Sequence, residues 1–157
     1  MILVPCSLNH LSQQNMGIRK ATADDQPSIS NLLTQLGYPG TEAFLPENLA
    51  QMLSQPWSDV LVYVLKDKVV GVIAFDFLTQ LAVKGSFARI SCFAVDEDAR
   101  DKGVGKLLEE HFTNLAREKK CDRIEVHCHL RRVGAHRFYE RQGYHESPKY
   151  FFKSLID

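Results

Sequence analysis

Apolar positions recur along this chain in two periods, and the switches between them predict a mixed α and β fold. Residues 17–21 alternate as a short first strand. Asp24 or Asp25 can cap the helix that follows, and Pro27 suits its first turn. Ile29, Leu32, Leu33 and Leu36 then recur at helical spacing until Gly37-Tyr38-Pro39-Gly40 ends the run. A second helix is predicted over 46–53. Residues 61–65 and 69–77 read as strands, and the short turn at Lys66-Asp67-Lys68 makes them a hairpin. After a turn at Lys84-Gly85, residues 87–95 form a strand long and apolar enough for a central position. Residues 103–119 read as a helix with Val104, Leu107, Leu108, His111, Phe112, Leu115 and Ala116 facing inward. In a strand over 123–129, Ile124, Val126 and Cys128 share one face, and His127 and His129 share the other. A helix over 133–142 is closed by Gly143. Tyr144 and residues 150–155 supply the last strands. The strand–helix–strand crossover through 88–129 requires at least one parallel neighbour.

One turn in this pattern carries chemistry. The run Ala99-Arg100-Asp101-Lys102-Gly103-Val104-Gly105-Lys106-Leu107-Leu108 joins a strand to a helix. It offers backbone N–H groups to an anion at the helix's positive end. A Walker loop is excluded, because Lys106 is followed by Leu107 and the earlier glycine is missing. A dinucleotide fingerprint is excluded too, because residue 108 is Leu where a third glycine belongs. What remains is Arg100-x-x-Gly103-x-Gly105, which resembles the pyrophosphate loop of the GNAT N-acetyltransferases. A second segment, Ala135-His136-Arg137-Phe138-Tyr139-Glu140-Arg141-Gln142-Gly143-Tyr144, is similar to that family's late helix, its tyrosine and the glycine–aromatic step beyond. Weaker resemblance extends over roughly residues 17–155.

The resemblance implies an α/β fold. Its sheet is mixed and mostly antiparallel, with a central parallel strand pair splayed around acetyl-coenzyme A and helices on both faces. Arg100, Asp101, Lys102, Gly103, Val104, Gly105 and Lys106 would meet the cofactor's phosphates. Phe93, Ala94 and Val95 would lie along its pantetheine arm, and Arg132 and Phe138 belong to the same site. Tyr139 matches the family's general acid at the thioester sulfur. The strand glutamate that many members use as a base is missing from Ala88-Arg89-Ile90-Ser91-Cys92-Phe93-Ala94-Val95. His127 is taken as the catalytic base candidate, with His129 beside it. A water chain or uptake of an already neutral amine remains open. Arg132 stands where the family's usual asparagine falls. That variant resembles a subgroup that includes aminoalkylphosphonate N-acetyltransferases. An arginine-rich rim of Arg131, Arg132, Arg137 and Arg141 would suit an amine that also bears an acid. Tyr38, Phe44 and Trp57 are available to line the acceptor pocket.

Composition narrows the rest. The chain has 157 residues, of which 45% are hydrophobic and 24% charged, enough for one domain with a sizeable core. We expect a domain over 17–157, preceded by an extension over 1–16 of unassigned order. Nineteen basic side chains balance 19 acidic ones, so nothing marks a nucleic-acid or anionic-membrane partner. No apolar run is long enough to span a bilayer, and Met1 to Cys6 lacks the pattern of a secretory signal. Cytoplasmic location and reduced cysteines are expected. Cys121, His127, Cys128 and His129 do not read as a metal site, because alternation sends Cys128 and the histidines to opposite faces. The partner expected is a small-molecule amine, and a homodimer is left open. The alternatives are a catalytically inactive coenzyme A-binding regulatory module, or an acetyltransferase acting on protein N-termini or lysines.

Overall fold

The structure is a computed structural model that describes residues 16–82, 84–147, 151 and 153–155. It divides into two units, residues 1–125 and 126–157. In the first, β1 (Gly17–Lys20), β2 (Ser58–Leu65), β3 (Lys68–Thr79), β4 (Ser86–Val95) and β5 (Cys121–Val126) form one sheet in that order. Neighbours from β1 to β4 are antiparallel, and β4 and β5 are parallel. The helices are α1 (Gln26–Leu36), α2 (Leu45–Ser54) and α3 (Val104–Glu118), the last being the crossover between β4 and β5.

Helices cover both faces, which is why β2 and β3 are apolar on both sides. On one face Val60, Val62, Val64, Val72, Ala74 and Ala94 pack with Ile29 and Leu32 of α1 and Leu45 and Leu49 of α2. On the other, Phe75 stacks on Phe112 of α3 with ring centroids 4.4 Å apart. The α3 contact is tightest at Gly71. A Cβ there would lie 2.9 Å from Leu108 Cδ1 and 3.0 Å from Val104 Cγ1. The missing side chain lets the first turns of α3 sit directly on β3. The expected inward stripe of α3 narrows accordingly. Val104, Leu108, Phe112 and Ala116 are buried, whereas Leu107 and His111 face out.

Local chemistry explains the element ends. The β2–β3 turn is Lys66-Asp67, both left-handed (φ 51° and 61°), as a two-residue hairpin of matching twist requires. Gly37, at φ 102°, ends α1, and the Tyr38 N–H reaches back to the Leu33 carbonyl. Asp25 receives both terminal nitrogens of Arg19, at 2.7 and 2.8 Å, and the Thr22 N–H at 2.8 Å. That fixes the entry to α1. Register shifts between Ala74 and Phe75, so that Ser91 is an extra residue bulged out of β4.

The second unit contains α4 (Val133–Arg141). In the turn before it, the His129 carbonyl accepts the Arg132 N–H at 2.9 Å and lies 3.1 Å from His136 Nε2. This turn corrects one expectation. β5 stops at Val126, so His127 and His129 follow the strand rather than alternating along it. The apolar alternation continues through Cys128, but the strand has already ended at Val126. Residues 144–147 carry no strand. Tyr150 and Phe152 of the expected last strand, and residues 1–15, lie outside the described residues. None of the described helices is long and apolar enough to cross a membrane.

Gly71→Val inserts atoms where Val104 and Leu108 already sit. It should cost about 1–3 kcal/mol in chemical denaturation, the usual range for overpacking. An unchanged midpoint would show that α3 is not held against β3 at this point.

Candidate functional site

β4 delivers the chain to the glycine-rich turn. Arg100 is extended, Asp101 and Gly103 are left-handed (φ 61° and 79°), and α3 begins at Val104. The first helical hydrogen bond runs from the Leu107 N–H to the Gly103 carbonyl at 3.0 Å. The N–H groups of Val104, Gly105 and Lys106 therefore point out of the helix with no acceptor among the described residues. Gly103 supplies no side-chain cap, and the first turn holds no acidic residue. This is a helix end with its positive pole unanswered. Arg100, Asp101, Lys102 and Lys106 are exposed around it. Arg100 Nε reaches back to the Val95 carbonyl at 3.4 Å, and Lys106 lies 3.6 Å from Glu110.

The preceding strand has a complementary feature. Ser86 Oγ lies 3.5 Å from Cys121 Sγ, and Arg89 bonds Glu125 at 3.0 Å, so β5 starts beside the start of β4. With six residues against ten, β5 ends near the Ser91 bulge. It does not extend along Phe93, Ala94 and Val95. Beyond the bulge, β4 runs on through Phe93, Ala94 and Val95 to the anion loop.

Asp96 locks this end of the sheet. It is 3% exposed, accepts the Asp98 N–H at 3.0 Å and the Gln35 amide at 3.3 Å, and lies 3.5 Å from the Lys68 ammonium. Gln35 in turn accepts the Glu97 N–H at 2.9 Å. Burial alone would push the Asp96 carboxyl up. The Asp98 N–H, the Gln35 amide and Lys68 together hold it below its ordinary value. The last turn of α1, the start of β3 and the approach to the anion loop are thus tied to one carboxylate. A sequence reading sees Asp96-Glu97-Asp98 as turn residues. Its partner Gln35 is 61 positions away, and no local signal links the two.

Glu125 was also invisible as a site residue. Partial burial would raise its carboxyl, but Arg123 at 2.9 Å and Arg89 at 3.0 Å hold it below its ordinary value. A carboxylate so paired is a weak proton acceptor. It clasps β4 to β5 below the point where β5 ends.

In the second unit, Tyr139 is half-buried, with its ring 5.3 Å from those of Phe138 and Tyr144. Its carbonyl accepts the Tyr144 N–H at 3.0 Å, closing the helix end. His127 is exposed just past β5. Arg132 is the residue before α4 and is half-buried. Burial pushes the Cys128 thiol up, against the pull of Arg132, so this cysteine is not an activated nucleophile.

Of the expected acceptor-lining residues, the structure separates Trp57 from the others. Tyr38 and Phe44 follow the end of α1 that Gln35 ties to Asp96. Trp57 precedes β2 at the opposite end of the sheet, its carbonyl accepting the Phe77 N–H at 2.7 Å. A cleft of about 590 Å³ also lies away from the anion loop. It is lined by β1, the start of β2 and the second half of α3, including His111, Leu115 and Lys119.

Comparison with known proteins bears on all of this. Residues 26–144 match the model of the acetyltransferase (GNAT) family. The chain is 31% identical over 139 residues to an uncharacterized N-acetyltransferase of Chlorobaculum tepidum, covering 88% of this chain and 81% of that protein. Among solved structures, a mutant protein from Bacillus halodurans superposes with a TM-score of 0.78 at 23% identity, covering 90% of this chain and all of that one. A GNAT family acetyltransferase from Staphylococcus aureus gives 0.75 at 21% identity, covering 89% and 98%.

Asp96→Asn should lower the denaturation midpoint at neutral pH, because the charge that Lys68 and the amides stabilise is gone. The Asp96 contribution is present above the unfolded carboxyl value of about 3.9 and is lost as pH falls through its lower native value. The gap between wild type and Asp96→Asn should therefore close below about pH 4. A gap that does not narrow at all as pH falls below about 4 would mean the ionised form is not what the fold uses.

Proposed function

Because the chain belongs to the acetyltransferase (GNAT) family, we propose that it transfers the acetyl group of acetyl-coenzyme A to a small primary amine by direct attack. The observation that carries this reading is the uncapped start of α3. Three outward N–H groups, two left-handed loop residues and an absence of first-turn carboxylates fit a pyrophosphate. Val104, Gly105 and Lys106 would hold it through their amides, with Arg100 and Lys102 adding charge. Asp101, although acidic, serves through its left-handed backbone. Phe93, Ala94 and Val95, which lead from β4 into the loop, are assigned to the pantetheine arm. Arg132 and Phe138 are assigned to the cofactor through the family resemblance of their segment.

Acetyl-coenzyme A supplies an activated acetyl group as a thioester; overall, a carbon–nitrogen bond replaces the carbon–sulfur bond and one proton passes from amine to thiol. Tyr139 is the residue assigned to protonate the leaving sulfur. His127 is assigned to take the proton from the amine, since an imidazole is a competent base near neutral pH and β4 offers no carboxylate. The Cys128 thiol, raised by burial, supports direct transfer over a covalent cysteine route.

Two variants test separate parts of the reading. Gly103→Val forces a β-branched residue to φ 79° and should weaken acetyl-coenzyme A binding at least about ten-fold by calorimetry. Parental affinity in a normally folded variant would remove the loop assignment. Tyr139→Phe keeps the ring and removes the proton. It should lower turnover about 10²-fold with the cofactor's dissociation constant little changed. Undiminished turnover, with chemistry rate-limiting, would return Tyr139 to a packing role.

A further inference from the structure

The cleft of about 590 Å³ beside α3 has no part in the reading above. Its lining lies wholly within the first unit. His111 and Lys119, on its α3 wall, stand roughly 12 and 24 Å along the helix from Gly103, at about 1.5 Å per residue. The cleft is therefore separate from the anion loop. Sites for whole small molecules span about 300–1,000 Å³, and this one falls within that range.

Its floor is apolar. Leu61 and Phe75 are buried, and Phe77 and Leu115 are half-buried. The rings of Phe75 and Phe77 meet edge to face, with centroids 5.5 Å apart. Phe77 keeps free surface that Phe75, at 1% exposure, does not have. A ligand ring laid there extends the aromatic pair. The charged side chains of the lining divide into two sets. On the sheet wall, Asp25 holds Arg19 and Asp59 holds the Lys20 ammonium. On the α3 wall, Glu118 and Lys119 are exposed and form no ion pair among the described residues. The Lys119 ammonium lies instead over the Phe77 ring, 5.8 Å from its centroid.

A negative and a positive group thus stand side by side at the rim of an aromatic floor. A simple carboxylate placed on Lys119 meets Glu118, and a simple amine placed on Glu118 meets Lys119. A ligand that carries both charges on one carbon satisfies both. We propose that this cleft binds a free α-amino acid with an aromatic side chain. Its ring lies on Phe77 and Leu115, its carboxylate meets Lys119, and its ammonium meets Glu118. A peptide does not fit this requirement, because its two terminal charges sit on different residues. The proposal goes beyond the acetyl-transfer reading and does not rest on it.

The test uses phenylalanine with phenethylamine and 3-phenylpropionate, which lack its carboxylate and its ammonium in turn, and alanine, which lacks the ring. Each is titrated onto the full chain without acetyl-coenzyme A, by calorimetry and by backbone amide NMR. Phenylalanine should bind about ten-fold or more tighter than each of the other three. Its shifts should fall at Ile18, Leu61, Leu115 and Lys119 and spare Val104, Gly105 and Lys106. Glu118→Gln and Lys119→Gln change exposed side chains, and a melting curve for each confirms the fold. Each should lower phenylalanine affinity about ten-fold. Similar affinity for all four compounds, no saturable binding at millimolar ligand, unchanged affinity in both variants, or shifts at the opening of α3 would each overturn the proposal.

Discussion

Backbone amides need partners, and at one end of this sheet the described residues supply none. α3 starts without a capping side chain or a first-turn carboxylate, leaving the amides of Val104, Gly105 and Lys106 aimed outward. A helix end with that deficit is a standing demand for an anion. The other features near it serve to hold the deficit in place. Gly71 lets α3 approach β3 closely enough to bury Val104 and Leu108, which sets the helix start against the sheet. Asp96 binds the last turn of α1, the first residue of β3 and the approach to the loop into one arrangement. The Ser91 bulge marks where β4 turns toward the loop, past the residues that Glu125 and Arg89 join to β5.

The proposed roles divide between the two units. The backbone groups that would receive the cofactor's phosphates belong to the first unit, positioned by packing and by one buried carboxylate. The groups assigned to move protons, Tyr139 and His127, come from the second unit. Charge is used sparingly on the first unit's loop, where lysines and an arginine stay exposed and salt-screened. The carboxylates nearest β4 are committed elsewhere. Glu125 is held ionised between Arg89 and Arg123, and Asp76 accepts the Ser58 hydroxyl at 2.5 Å. The strand glutamate that many family members use has no substitute on β4 itself.

Much of the fold was legible because its signals are local. Gly37, the Lys66-Asp67 turn and the Gly103 turn each require a left-handed residue, and each appears where the chain reverses or a helix begins. The apolar runs of β2, β3 and β4 were equally plain, since burial on both faces leaves few polar interruptions. What sequence could not show was set by distance. Gln35 and Asp96 meet across 61 positions, and Arg89 and Glu125 across 36. Ser30 and Glu42 meet through a single 3-10 turn at Thr41–Ala43, too short to leave a periodic trace. Alternation carried the β5 reading three residues too far, because Cys128 continues the apolar pattern after the strand has ended. Tyr38, Phe44 and Trp57 were grouped by their place around the first two helices, and the strand directions place Trp57 at the other end of the sheet.

The central claim is that the amides opening α3 receive the phosphates of acetyl-coenzyme A. Backbone amide NMR during titration with that compound tests it residue by residue. The account predicts saturable shifts concentrated at Gly103, Val104, Gly105 and Lys106, with smaller ones at Phe93, Ala94 and Val95. Saturable binding that leaves the α3 amides unmoved, or no binding at millimolar ligand, would contradict it.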